Sequence, residues 1–269
     1  MRRYIVFISL PVLFLLAATT CLATSMGQIA IFTESVGWTS VGTANAQAQK
    51  IISDLRLTRE IEILGDKAIG DFAQANTDDG ELDIIITFGY FPVSLYAPGN
   101  GEADDSVAEL FLEGGNMFIN TADYIFYVTL GGGANADTGL KNMTDSNFDL
   151  WTDGVSTAPT EDGKEYTPSL IEFSAPRCFR ISQIEASPEW ELEVAFGDDG
   201  GVNADPAVIH NTDYDGRVAI VFQVSNDAMP RGEVMTEMLD NWLSEKVEAQ
   251  AVEPVDKLSV TWGKVKQSL

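Results

Sequence analysis

The chain has 269 residues, 16 basic against 41 acidic, for a formal charge of −25. A surface of that sign repels phosphate backbones, which excludes nucleic acid and anionic membranes as partners. The length is enough to bury a core without covalent staples, and with only two cysteines, Cys21 and Cys178, no disulfide framework is expected.

The N-terminus reads as an export signal over residues 1–23. Arg2 and Arg3 precede an uncharged run from Tyr4 to Ala18, and small residues follow to Ser25. Cleavage after Ala23 places Cys21 and Ala23 at the third and first positions before the cut and removes both Cys21 and the two arginines, leaving 14 basic groups against 41 acidic ones. The expected location is therefore periplasmic or extracellular. The rival reading makes Cys21 the lipidated first residue of a lipoprotein. No later stretch reaches the roughly 18 to 20 uninterrupted apolar residues of a membrane span.

From residue 27 to 247 the pattern is that of one α/β domain. Gln28–Thr33 reads as a buried strand, followed by a loop from Glu34 to Gly42 that carries Trp38. Ala44–Leu55 has helical periodicity, with Ala46, Ile51, Ile52 and Leu55 near one side. Glu60–Leu64 is a short strand, Asp66–Ala75 a weak helix, and Asn76–Gly80 turn chemistry leading into the strand Leu82–Phe88. A helix with Ala103, Val107, Leu110 and Phe111 inward and Glu109 outward should stop at Gly114-Gly115, before a strand at Met117–Ile119. Strands alternating with helices specify a mostly parallel open sheet in three layers, with ligand sites at the strands' carboxyl ends.

From about 131 to 188 that alternation stops, and an irregular insertion or a small β extension is expected. Trp190–Phe196 then alternates like an exposed strand, and Ala207–Ile209 with Arg217–Phe222 reads as a hairpin entering a buried strand. A helix from about Pro230 to Val247 carries the inward stripe Val234, Met238, Leu239 and Trp242. Residues 248–269 read as an acidic linker and a loose tail.

Three segments resemble one family. Ala108–Asn116, with its helix ending in Gly-Gly, is similar to a segment of class I glutamine amidotransferase-like domains, particularly the ThuA-like branch linked to trehalose utilisation. Pro206–Ile209 followed by Asp215–Val218 looks like that branch's late hairpin, and Met238–Leu243 like its closing helix. The resemblance implies a flavodoxin-like or glutamine amidotransferase-like fold. The family's chemistry needs a cysteine on a sharp turn after the third strand, with a later histidine and acid. Here that turn is Phe88-Gly89-Tyr90-Phe91-Pro92, and His210 is followed by Asn211 and Thr212. Glutamine hydrolysis is therefore not expected, and Cys178 and His210 read as structural residues rather than a nucleophile and its base.

Two further constellations carry possible chemistry. Loops after the first, third and fourth strands bring Glu34, Trp38, Tyr90, Asn120 and Asp123 to one sheet edge, a mixture of aromatic and polar groups suited to a small polar ligand such as a carbohydrate. Glu34 and Asp123 are the carboxylates available if the domain is instead an enzyme. Asn211-x-Asp213-x-Asp215-Gly216 matches half of a calcium loop, but position twelve is Phe222 where a bidentate glutamate is required, and the same residues suit a hairpin turn. If that loop meets the oxygen-rich stretch Asp198–Asp205, a cation site of another kind forms. The leading expectation is a non-catalytic domain binding a polar ligand or a protein partner without a cofactor. The alternatives are an enzyme using loop carboxylates and a cation-dependent interaction module.

Overall fold

The structure is a computed structural model describing residues 25–57 and 60–247. The predicted signal segment, Cys21 and the linker and tail at 248–269 lie outside the described residues. The first half alternates strictly: β1 (Ser25–Phe32), α1 (Val41–Asp54), β2 (Ile61–Ile63), α2 (Asp66–Asn76), β3 (Glu81–Thr87), α3 (Val107–Glu113) and β4 (Met117–Thr121). Next come the short pair β5 (Val128–Thr129) and β6 (Gly133–Ala134), α4 (Asp137–Thr144), β7 (Trp151–Pro159), α5 (Glu161–Tyr166), β8 (Phe173–Arg177), β9 (Phe179–Arg180) and α6 (Ile181–Glu185). The chain closes with β10 (Trp190–Ala195), β11 (Gly197–Asp198), β12 (Asn203–Ala204), β13 (Ala207–Asn211), β14 (Arg217–Val221) and α7 (Arg231–Glu237), which widens into a π-helical segment at Met238–Leu243.

The result is a mixed α/β fold around a mostly parallel seven-stranded sheet of order β10-β13-β14-β4-β3-β1-β2. Strands β2, β1, β3, β4 and β14 run parallel, and β13 and β10 complete the sheet antiparallel to their neighbours. Alternation along the strands sends side chains to two separate cores. Ile29, Ile31, Ile84, Ile86 and Ile119 pack with α1 and α7, through Ala44, Ala48, Val234 and Leu239. Ala30, Phe32, Ile85, Phe118 and Ile220 pack with α2, α3 and α4, through Ile69, Phe111 and Leu140. Central strands covered on both faces read as unbroken apolar runs, which is why β3 and β4 stand out in the sequence.

The structure revises several expectations. The helix before β4 begins at Val107, capped by the Ser106 hydroxyl on the Glu109 N–H, so Ala103 is not part of it. Its register is also rotated: Leu110 is 40% exposed while Glu109 is buried. In α1 the buried residues are Ala44, Ala48 and Ile51, whereas Ala46 faces out. Of the two readings of 131–188, the β extension is the one observed: β7, β8 and β9 join β11 and β12 in a second, antiparallel sheet of order β8-β7-β11-β12-β9. The β13–β14 hairpin, the edge position of β10 and the buried stripe Val234, Met238, Leu239 and Trp242 are as expected.

Candidate functional site

In the parallel part of the sheet the connections diverge between β1 and β3, and their carboxyl ends are the usual place for a ligand crevice. Here the crevice is sealed by backbone. Gly37 N–H donates to the Phe88 carbonyl at 2.8 Å and Trp38 N–H to the Ala122 carbonyl at 2.6 Å, tying the loops after β1, β3 and β4 together. A side chain at Gly37 would overlap Asp123, and one at Gly89 would lie 2.6 Å from Gly37 N and 2.7 Å from its Cα. Phe88 and Phe91 turn into the two cores. The turn after β3 thus carries no nucleophile.

Beneath the loops lies a buried polar floor. Asn120 Nδ2 donates to Thr87 Oγ1 at 2.8 Å and to the Gly89 carbonyl at 3.2 Å, while Asn120 Oδ1 accepts from Gln223 Nε2 at 3.1 Å. Asp205 accepts the N–H groups of Phe222 and Gln223, both at 2.8 Å. Burial pushes the Asp205 carboxyl up to about 7, against the pull of those donors and of Arg231. Arg231, fully buried, bonds Thr121 Oγ1 and the carbonyls of Val224 and Asn226. These charged and polar groups fix the loop ends; they are satisfied largely by one another.

Above the seal sits a group with unmet demand. The Arg177 guanidinium, at the end of β8, lies 3.9 Å from the ring centre of Trp151 and 5.6 Å from that of Trp38, a cation–π arrangement. Its Nε is buried and has no hydrogen-bond partner among the described residues. Asp123 is close enough to support the guanidinium's charge, as are Tyr124, Tyr127 and Asp137, while burial lowers the Arg177 pKa. Asp123 accepts the Tyr124 N–H at 2.7 Å, and burial raises its carboxyl to about 6. Trp151 packs its ring on Tyr124 and Tyr127 and donates its indole N–H to Asp137.

Of the residues predicted for this edge, the structure gathers Trp38 and Asp123 around Arg177. Glu34 caps α2, its Oε2 accepting the Asp66 N–H at 2.9 Å, and Asn120 belongs to the buried floor. Tyr90 is half-buried on the turn after β3. Arg177 and Trp151 are absent from the sequence-predicted set because the pairing of β7 with β8 and with β11, which brings them over the strand ends, has no local signature. The only signal was the pair of arginines in Pro176-Arg177-Cys178-Phe179-Arg180, among short apolar pieces.

The other candidates separate. Cys178 is fully buried, and burial together with Asp205 drives its thiol pKa far up. His210 bridges Glu191 and Asp215, each at 3.0 Å, at the opposite sheet edge, where β13 ends and β4 and β14 begin. The two therefore form no dyad. Asn211 spends its Oδ1 on the N–H groups of Asp213 and Tyr214, and Asp215 is engaged by His210, as a hairpin turn requires. This turn follows β13 while the loop from Asp198 to Asn203 precedes it, so the two oxygen-rich loops lie at opposite ends of the strand and do not meet.

A surface cleft of about 300 Å³ lies elsewhere, lined by Asp162, Tyr166, Glu193, Trp242, Glu245 and Lys246 among others. Several of its polar groups are already paired: Glu193 with Arg217 at 2.8 Å and Lys246 at 3.7 Å, Tyr166 with Glu245 at 3.1 Å. No helix among the described residues is long and apolar enough to cross a membrane.

No family model matches the chain, and no curated protein is similar to it. Among solved structures, one similar chain is a protein of Bacteroides uniformis ATCC 8492 provisionally named thua-like, with 14% identity over 84% of this chain and 93% of that one and a TM-score of 0.44.

Proposed function

We propose that the protein is a secreted, non-catalytic domain of the glutamine amidotransferase-like type, ThuA-like branch, that binds a small polar ligand over the carboxyl ends of its parallel strands. The observation that carries the reading is Arg177, held over two indoles with a buried N–H left unpartnered beside Asp123. A buried donor without a partner costs about 1–3 kcal/mol, which a ligand oxygen would recover. Flat aromatic rings beside a cation and a carboxylic acid suit a hydroxylated ring, so a carbohydrate bearing an acidic or hydroxyl oxygen is the class proposed. The flavodoxin-like strand order β2-β1-β3-β4-β14 supports the superfamily, together with the late hairpin and the closing helix. Export rests on the pattern of residues 1–23.

The enzymatic alternative keeps Asp123, whose carboxyl near 6 suits proton transfer. It loses Glu34, which is committed to the α2 terminus. Ligand-observed NMR with glucose, trehalose and galacturonate tests the reading, on the wild-type protein and on Arg177→Met, which keeps the stem between the indoles but removes the donors. Binding of at least one sugar, weakened tenfold or more by the substitution, is the expected result. Equal binding by both proteins, or none by either, overturns it. N-terminal sequencing of exported protein should begin at Thr24; a lipid-modified Cys21 would select the tethered form instead.

A further inference from the structure

A second cluster of side chains stands between α3 and α4. Glu109 and Glu113 are four residues apart on α3 and so share a face, and Asp145 caps the C-terminus of the neighbouring α4. One carboxylate oxygen from each lies within 4.8 Å of the other two. Glu109 is 5% exposed, and its Oε2 is buried without a hydrogen-bond partner among the described residues. None of the three carboxylates takes part in an ion pair among the described residues. Three carboxylates at this spacing repel one another when ionised, and a bound cation would relieve that repulsion.

We propose that Glu109, Glu113 and Asp145 form a binding site for a single calcium ion that clamps α3 to α4. Calcium bonds oxygen at about 2.3–2.6 Å, so two oxygens on one ion stand at most about 4.6–5.2 Å apart, and three separations within 4.8 Å are compatible with one shared ion. The donor set is oxygen only, which suits a hard cation and not zinc, whose protein sites draw on cysteine and histidine. Glu113 and Asp145 are exposed, leaving the remaining coordination positions open to water, while Glu109 supplies the buried anchor. Its three ligands are distinct from the side chains of Asn211, Asp213 and Asp215, although Tyr214 of that turn lies near all three carboxylates, and it does not depend on the ligand reading above.

The test is calcium titration of the full chain by calorimetry and thermal unfolding, at ionic strength matched with sodium chloride, beside Glu113→Gln and Asp145→Asn. Both altered side chains are exposed, and far-UV circular dichroism verifies that the variants fold. The wild type should bind one calcium with a dissociation constant of about 0.1–1 mM and gain about 3–5 °C in Tm at about 5 mM. Each variant should lose tenfold or more in affinity, while Glu113→Gln without calcium should be at least as stable as wild type because a repulsion has been removed. No calcium-specific shift in the wild type, or a shift that persists in both variants, overturns the assignment; persistence would identify general screening of an acidic surface.

Discussion

Replacing Gly89 by alanine probes the seal at the strand ends, and Gly80→Ala supplies its control. Both glycines have positive φ, +103° and +84°, so both substitutions impose a conformation that L residues disfavour, at about 1–3 kcal/mol. They differ in surroundings. A Cβ at Gly80 meets nothing within 4 Å, whereas at Gly89 it lies 2.6 Å from Gly37 N and 2.7 Å from Gly37 Cα. Optimal contacts between carbons fall at about 3.5–4.0 Å, so the Gly37 backbone would have to retreat by about 1 Å. That movement strains the bonds from Gly37 N–H to Phe88 and from Trp38 N–H to Ala122, each worth about 1 kcal/mol net, and overpacking adds about 1–3 kcal/mol. Urea unfolding should therefore show Gly89→Ala less stable than Gly80→Ala by about 2–4 kcal/mol. Equal losses would refute the claim that the three loops are packed backbone to backbone.

Asp123 binds more protons in the native than in the unfolded protein between its ordinary 3.8 and about 6, so its contribution to stability is full below 3.8 and lost as pH rises through 6. Asp123→Asn should remove that slope and gain up to about 3 kcal/mol at pH 8 relative to pH 3.5, measured by urea unfolding across pH. A pH dependence identical to wild type would contradict the burial of this carboxyl. Asn116 accepts the Asp83 N–H at 2.8 Å and donates to the Asn76 carbonyl at 3.0 Å, all in the interior, so Asn116→Ala should cost about 2–4 kcal/mol by the same method. Ellman's reagent should reach Cys178 only in denaturant; rapid labelling of the native thiol would overturn its assignment as a core residue.

Much of the scaffold was legible because its signals are local. The apolar runs of β1, β3 and β4, the Gly114-Gly115 stop after α3, and the Asn211–Gly216 turn depend on residues within a few positions of one another. The misread face of α3 has a physical cause: only seven residues are helical, too few for periodicity to fix a register, and charge alone placed Glu109 outside. Burying it against α4 is a tertiary decision, made by the pair of helices and not by either alone.

The candidate site divides the same way. The sequence by itself determined that the loops after β1, β3 and β4 share an edge, that the turn at Phe88–Pro92 lacks a nucleophile, and that Trp38 and Asp123 are near that edge. Parallel strands point their carboxyl ends the same way, so these statements needed no coordinates. Only the tertiary structure decided that Glu34 caps a helix, that Asn120 is floor rather than wall, and that Arg177 and Trp151 cross from the second sheet to stand over the strand ends. Those outcomes depend on the pairing of β7 with β8 and β11 and on contacts between residues far apart in the chain, where the energy lies in packing and hydrogen bonds that no local pattern encodes.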